Sequence, residues 1–72
     1  MLTSRLKDIL EERGIKQSWL IKKVGISSGA MSLLVNNKST PTLEVAFKIA
    51  KALNLHIEDV WQHVDEEKEP QD

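Results

Sequence analysis

The amino-acid sequence predicts an all-α fold of five helices. Apolar residues recur every three or four positions along most of the chain, which is the spacing of a helix with one buried face. Gly, Ser, Thr and Asn stand between these periodic stretches, where helices begin and end. The only stretch that could form a strand is residues 61–64. The pattern therefore predicts helices joined by short turns.

Residues 17–36, QSWLIKKVGISSGAMSLLVN, contain a helix stop and a helix start within three positions. Gly25 stands where the first helix must reverse, a position that needs φ > 0 and that glycine occupies without strain. Ser27 or Ser28 can then cap the next helix. Helices over 17–24 and 28–36, joined this tightly, form a helix-turn-helix, a unit that can lay its second helix in a DNA major groove.

Three further helices flank this pair. Helix 1 is expected from Thr3 or Ser4 to Arg13, with Gly14 as its stop. Thr42 is expected to cap helix 4, and Asn54 to end it in a left-handed conformation. A short helix is expected over residues 57–62. The predicted buried faces are Leu6, Ile9 and Leu10 in helix 1, and Leu43, Ala46, Phe47, Ala50 and Leu53 in helix 4.

The charge divides the chain into two parts. Residues 1–64 hold nine bases and six acids, a net charge of +3, whereas residues 65–72, DEEKEPQD, hold five acids and one lysine. We expect one domain over 1–64 and a solvated, disordered acidic tail over 65–72, either a solubilising end or a means of repelling nonspecific DNA. The chain has no cysteine, no signal peptide pattern and no apolar run that could span a membrane, so a cytoplasmic protein is expected.

The order of these elements resembles the phage-repressor and Cro type of helix-turn-helix, the xenobiotic-response-element family of bacterial and phage regulators. The segments that carry the resemblance are ILEERGIKQSWLIKKVGIS, LLVNNKSTPTLEVAFKIAKALNL and IEDVW, within residues 4–62. The resemblance implies a lambda-repressor-like domain of five helices that binds double-stranded DNA. It implies no cofactor and no enzymatic activity.

The resemblance also implies a set of DNA-contacting residues. Gln17 would bond a phosphate at the start of helix 2, and Lys16 would add a further charge. The positions that would face base edges or the flanking backbone are Ser27, Ser28, Gly29, Ser32 and Leu33. Those that would touch the phosphate strand are Asn36, Lys38 and Ser39.

Each of these roles has a structural alternative. One of the two serines is expected to be only a helix cap, and Lys38 could be an ordinary loop lysine. Leu33 could contact a thymine methyl, pack beside Trp19 or belong to a partner surface. Trp19 itself is either packed along helix 1 or exposed, whereas Trp61 is expected to fill the core.

Four departures from the family pattern are visible in the sequence. Ile21 stands where the motif usually has alanine, and Gly29 or Ala30 opposite is expected to accommodate its bulk. Leu10 and Val35 replace a buried ion pair with an expected apolar contact, and Asn37 replaces a glycine. Helix 3 has no Arg, Lys, Gln or Asn before Asn36, so the side chains that read guanine and adenine in two hydrogen bonds are missing from its first turns. Modest specificity is expected, and a protein-interaction module is the alternative function.

A metal site or an active site is not expected. His56, Asp59 and His63 are spaced to share one face of a helix, but His56 lies where the family has a capping residue and His63 at a fraying end. No motif pairs a serine with a histidine, so hydrolase chemistry is not expected either.

The sequence therefore predicts a transcriptional regulator, a repressor of phage or mobile-element type. It is expected to bind a two-fold operator as a homodimer, with the fifth helix and residues 61–64 as the dimer surface. No small-molecule effector and no membrane partner are expected. The alternative is an antitoxin-like or anti-repressor partner that keeps the fold without the operator.

Overall fold

The computed structural model describes residues 2–64, and the predicted acidic tail lies outside them. All five predicted helices are present, with a short strand at either end of the series. The elements are β1 (Leu2–Ser4), α1 (Leu6–Arg13), α2 (Gln17–Val24), α3 (Ser28–Val35), α4 (Leu43–Ala52), α5 (Ile57–Val60) and β2 (Trp61–His63).

The core contains one completely enclosed large side chain from each helix. These side chains are Leu6, Leu20, Met31, Ile49 and Val60, all less than 2% exposed. Burying a side chain of this size contributes about 1.5–3 kcal/mol. Helices of eight residues are marginal by themselves in water, so this shared core stabilises each of them. Leu10 and Val35, the expected apolar pair, are both buried in the same cluster.

Four helix exits take the left-handed backbone conformation. Gly14 has φ of 66° and Gly25 has φ of 83°, which confirms both predicted stops. Asn37 and Asn54 have φ of 59° and 61°, as expected of the residue that tolerates this conformation best after glycine. At the start of α4, Thr42 Oγ1 accepts a hydrogen bond from the Val45 N–H at 3.2 Å, so the predicted cap is also confirmed.

The all-helical prediction was wrong at both ends of the domain. β1 pairs antiparallel with β2, Ser4 opposite Trp61, so α1 begins at Leu6 rather than at residue 3 or 4, and α5 ends at Val60 rather than at residue 62. Ser4 still serves the helix start, because its Oγ accepts from the Leu6 N–H at 3.0 Å. The Arg5 N–H donates to the Val60 carbonyl at 2.7 Å and joins the two ends. Trp61 is buried, as expected.

The predicted buried face of α4 was wrong at two positions. Leu43 is 70% exposed and Phe47 is 58% exposed. The helix instead buries Ala46, Ile49, Ala50 and Leu53, which have the i, i+3, i+4, i+7 spacing of a single face. Leu43 lies in the first turn of the helix, before the first residue of this buried face. Phe47 directly follows Ala46, and its side chain points about 100° around the helix axis from that of Ala46.

The reversal at Gly25 can be tested with matched substitutions. Gly25→Val is expected to lower the free energy of unfolding by about 1–3 kcal/mol, because a β-branched residue is strained at positive φ. A Cβ at Gly25 meets no atom within 4 Å, so the loss would come from the backbone. Asn37→Gly is expected to lower it by less than about 1 kcal/mol, since glycine fits that conformation. Thermal melts of both variants measure the difference.

Gly29→Val is the control for the melts. It adds the same side chain at a position that also has open space and no positive φ. Equal melting temperatures for Gly25→Val and Gly29→Val would contradict the assignment of strain to the turn.

Candidate nucleic-acid interface

The two sides of α3 have opposite characters. Met31, Leu34 and Val35 are buried in the core. The other side presents the candidate base-contacting residues: Ser28, Gly29 and Leu33 are exposed and Ser32 is half-buried. A Cβ at Gly29 would meet nothing within 4 Å, so the backbone there is open to close approach. This helix therefore has a flat outer surface of small polar groups with one outward leucine.

The two serines at the start of α3 have different roles. Ser27 is the cap, because its Oγ accepts a hydrogen bond from the Ala30 N–H at 3.1 Å. Its hydroxyl proton can still be donated, since a serine oxygen accepts and donates at once. Ser28 follows in the first turn of the helix and is exposed. The question that the sequence left open is thus answered in favour of Ser27 as the cap.

The N-terminal end of α2 has no side-chain cap. Lys16 precedes the helix in an extended conformation, without a side-chain cap, and is exposed. Its carbonyl accepts from the Trp19 N–H at 3.1 Å and from the Leu20 N–H at 3.4 Å. The backbone N–H groups of Gln17 and Ser18 precede these, and N–H groups in the first turn of a helix have no partner within the helix. With the partial positive charge of that end, Gln17 and Lys16 suit a phosphate oxygen.

Gln17 and Asn36 line the same shallow groove, so the start of α2 lies beside the end of α3. The Asn36 Nδ2 donates to the Ser32 carbonyl at 2.9 Å, which holds the side chain back along α3. The Asn36 Nδ2 also donates to the Ser32 Oγ at 3.4 Å, a long hydrogen bond that a phosphate oxygen would have to replace.

Lys38 and Ser39 lie in the loop after α3, and both are exposed. The Lys38 N–H donates to the Leu33 carbonyl at 2.8 Å, so the backbone of the loop is attached to the last turn of the helix. A lysine in a loop fixed this close to α3 can reach a phosphate flanking a groove that holds the helix.

Lys7 belongs with these residues, although sequence reasoning missed it. It lines the groove that Gln17 and Asn36 share, together with the acidic Glu11. The available signal was its position three residues before Leu10, on the side of α1 that faces the end of α3. The positive charge of Lys7 favours a phosphate at this groove, and the negative charge of Glu11 opposes it.

Trp19 is a surface residue of α2. It is 41% exposed, and the Lys23 Nζ lies 5.4 Å from the centroid of its ring, within the range of a cation–π contact. It shares an open groove with Lys16 and Lys22. Of the two alternatives for Trp19, packed along helix 1 or exposed, the structure therefore supports the exposed one.

The three residues whose spacing suggested a metal site do not share a helix face in the structure. His63 lies in β2, beyond the end of α5, so it shares no helix face with His56 and Asp59. Asp59 Oδ2 instead accepts from the backbone N–H of His56 at 2.9 Å and closes the start of α5. Within residues 2–64, no group of three or more His, Cys, Asp or Glu residues could hold a metal ion.

A tightly joined helix pair with an exposed second helix is the arrangement by which known proteins read DNA. Residues 5–66 match the family of Cro/C1-type helix-turn-helix DNA-binding domains. The chain belongs to this family. The family resemblance that the sequence suggested is thus confirmed, and the family is one of DNA-binding transcriptional regulators rather than of enzymes.

Several relatives are similar over nearly the whole chain. An HTH-type transcriptional regulator of Archaeoglobus fulgidus is 35% identical over 66 residues, which are 92% of this chain and 94% of that protein. A regulator of the same description from Methanocaldococcus jannaschii is 33% identical over 66 residues, which are 92% of this chain and 100% of that protein.

Two further similarities come from a shorter match and from a solved structure. Antitoxin HipB of Escherichia coli is 37% identical over 54 residues, which cover 75% of this chain and 61% of HipB. The crystal structure of a Bacteroides fragilis protein described as DNA-binding superimposes with a TM-score of 0.78 at 31% identity, covering 86% of this chain and 100% of that one. None of the helices within residues 2–64 is long and apolar enough to cross a membrane.

The two serines provide a matched test of cap against contact. Ser27→Ala is expected to lower the free energy of unfolding by about 1 kcal/mol, because the Ala30 N–H loses its partner. Ser28→Ala is expected to change it by less than about 0.5 kcal/mol, since an exposed first-turn side chain is removed. Urea titrations of both variants measure this, and an equal loss in the two would contradict the capping assignment.

Proposed function

We propose that this protein is a sequence-specific DNA-binding transcriptional regulator, a repressor of phage or mobile-element type, that acts as a homodimer on a two-fold operator. The observation that carries the proposal is the exposed side of α3, with the start of α2 and the Lys38 loop both beside the end of that helix. Since the partner is DNA, the proposed location is the cytoplasm.

In the proposed complex, α3 enters the major groove. Ser28, Gly29, Ser32 and Leu33 face the base edges, and the Ser27 hydroxyl lies at the rim of the groove. The phosphates that flank the groove meet Lys16 and Gln17 at the start of α2. Asn36, which lies beside Gln17, meets the same stretch of phosphates together with Lys38 and Ser39, which follow α3. The phosphate contacts set the position of the helix, and the base contacts carry the sequence preference.

A homodimer is proposed because a single module of this size offers few contacts. One small DNA-binding module buries only about 600–1,000 Å² of protein surface. Two copies related by a two-fold axis read two half-sites about one helical turn apart, so an inverted repeat is the expected form of the operator.

The specificity of the proposed complex is modest. Between Ser28 and Val35, α3 contains no side chain that can form two hydrogen bonds with one base. Serine hydroxyls, bridging waters, the methyl contact of Leu33 and the shape of the groove would then carry the preference. Specific binding is expected near the low end of the roughly 10³- to 10⁷-fold range over nonspecific DNA.

A second function is favoured by the similarity to antitoxin HipB over 75% of this chain. In that case, the domain would act as an antitoxin-like partner of another protein. The lack of base-recognising side chains in α3 also suits this alternative, because a surface that binds a protein does not need them. The two functions differ in whether the isolated chain binds DNA specifically.

A gel-shift assay with salt titration separates these functions. The probe is the DNA upstream of the chain's own gene, and the control is the same DNA with its inverted repeats scrambled. A retarded band that survives excess scrambled DNA would support the regulator. No specific band at low salt would favour the protein-interaction module.

The proposed phosphate contacts differ in their charge, and salt dependence measures the difference. Lys38→Ala and Gln17→Ala should both weaken binding about equally for all DNA sequences. Lys38→Ala should reduce the slope of log K against log salt by roughly 1, whereas Gln17→Ala should leave the slope nearly unchanged, because it removes no charge. Lys23→Ala, which removes an exposed lysine of α2 outside the proposed docking face, is the control. An unchanged affinity and slope for Lys38→Ala would overturn the proposed docking face.

Gly29→Gln tests whether α3 faces the bases. The open space at Gly29 accepts the side chain, and the change should gain up to roughly 1 kcal/mol of helix propensity. A glutamine in the groove should also change the preferred operator, since it can form two hydrogen bonds with adenine. Binding-site selection from a random DNA library, run on both proteins, measures the preference. The same preferred sequence in both would mean that Gly29 does not face the bases.

A further inference from the structure

The side of α4 that faces away from the core carries two large apolar side chains in contact with water. Leu43 and Phe47 are 70% and 58% exposed, more than any other large apolar residue that the structure describes. They are four positions apart and so lie on one side of the helix. Apolar groups this exposed and this close together mark a surface for another protein.

Two neighbouring grooves between α4 and α5 border this apolar surface. The walls of the first are formed by Leu2, Pro41, Leu43, Ala46, Ile57 and Trp61, among others. The second is lined by the apolar Phe47, Ala50 and Leu55 and by the polar Lys51, Asn54 and His56. Ile57 and Glu58 border both grooves. We call Leu2, Leu43, Phe47 and Ile57 with these grooves the α4 face.

We propose that a second copy of this chain docks on the α4 face, with its own α4 antiparallel to the first. The inference rests on the homodimer of the proposed function and assigns its interface. A two-fold axis beside Phe47 places the two phenylalanines against each other and each Leu43 over the distant end of the partner helix. Each copy then presents the same surface, as a two-fold interface requires.

The charges on α4 are self-complementary in this arrangement. Glu44 lies in the first turn and Lys51 in the last turn, seven positions apart and therefore on the same side of the helix. Within one copy, the Glu44 Oε2 lies 3.6 Å from the Lys48 Nζ, one turn further along the helix. Antiparallel pairing also brings Glu44 of each copy to the partner's Lys51, so that contact forms twice. A parallel pairing would place like charges together at both ends. The antiparallel arrangement also opposes the two helix dipoles.

Other occupants fit the α4 face less well. Residues 65–72, DEEKEPQD, contain no large apolar side chain to fill it. DNA would meet apolar groups there, and none of the proposed DNA-contacting residues lines either groove. The α4 face and the proposed DNA-binding surface therefore share no residue.

The α4 face adjoins the dimer surface expected from sequence, the fifth helix with residues 61–64, and shares Ile57 with it. The proposed contact is centred on α4 instead. Trp61 is only 6% exposed, and β2 pairs with β1 of its own chain. The large apolar side chain of Trp61 is thus buried in the core of its own chain and is not available to a partner.

Sedimentation equilibrium of the full chain without DNA tests the interface. Phe47→Glu should raise the dimer dissociation constant by at least about 30-fold, as expected for an aromatic at the centre of an interface. Leu33→Glu is the matched control, because this leucine is also largely exposed, at 47%, but lies on α3. It should leave dimerisation unchanged. Circular dichroism and thermal melts check that both variants fold, and Leu43→Gln, at the most exposed position, provides a second variant.

Charge reversal tests the orientation. Glu44→Lys and Lys51→Glu should each weaken self-association by about tenfold, because each creates two like-charge contacts. An equimolar mixture of the two variants should form a heterodimer about as tight as the wild-type dimer, since both contacts again join opposite charges, one of them with reversed sign. The loss in each single variant is the result that requires Glu44 to face the partner's Lys51, because a parallel pairing already places like charges together and would not be weakened.

The outcomes separate the interface from the DNA-binding function. A wild-type chain that remains monomeric near millimolar concentration would overturn the α4 face. So would a dimer that Phe47→Glu leaves intact, or a charge-reversed mixture that fails to associate. Because no DNA is present, these results do not depend on the gel shift: a dimer that passes all of them but binds no operator would refute only the regulator.

Discussion

Five enclosed side chains, one from each helix, hold the domain together, and the orientation of α3 depends on them. These are Leu6, Leu20, Met31, Ile49 and Val60. Helices of four to ten residues do not persist alone in water, so each helix exists because its buried side chain completes the others' environment. Holding Met31 in the core turns Ser28, Gly29 and Leu33 outward. The candidate interface is therefore the reverse side of the core, and a change in the packing of Met31 would also rotate the surface offered to DNA.

The short connection between α2 and α3 restricts the orientation of α3 relative to α2. Only residues 25–27 separate the two helices. Gly25 reverses the chain at φ of 83°, and the Ser27 hydroxyl caps the helix that follows. A connection this short leaves α3 few alternative orientations, because a longer loop would be needed to move it. The open end of α2 and the outer side of α3 are consequently held in one fixed arrangement, as a surface that binds rigid DNA requires.

The sequence predicted what local chemistry determines and missed what distant contacts determine. Gly25, Asn37 and Asn54 were predicted correctly because a positive φ restricts the residue type at a single position. Residues 61–64 were the one stretch named as a possible strand, and β2 lies within them. β1 and its pairing with β2 were missed, because a strand of three residues shows no alternation. Phe47 was assigned to the core because helical spacing defines a stripe but not its exact edge. In the same way, the positions of the candidate site followed from the motif, whereas Lys7 entered it only through the packing of α1.

The two proposed surfaces depend on each other through specificity. A recognition helix without Arg, Lys, Gln or Asn in its first turns discriminates weakly at any one base pair. Two weak half-sites become selective when both must be occupied at a fixed distance, since the second contact then forms at a high effective concentration. That gain requires a rigid connection between the copies. A helix such as α4, packed on the core along its buried side, meets this requirement, whereas a mobile connection would allow many spacings. In the proposed dimer, Leu43 and Phe47 thus contribute to sequence preference without touching DNA, because they set the distance between the two copies of α3.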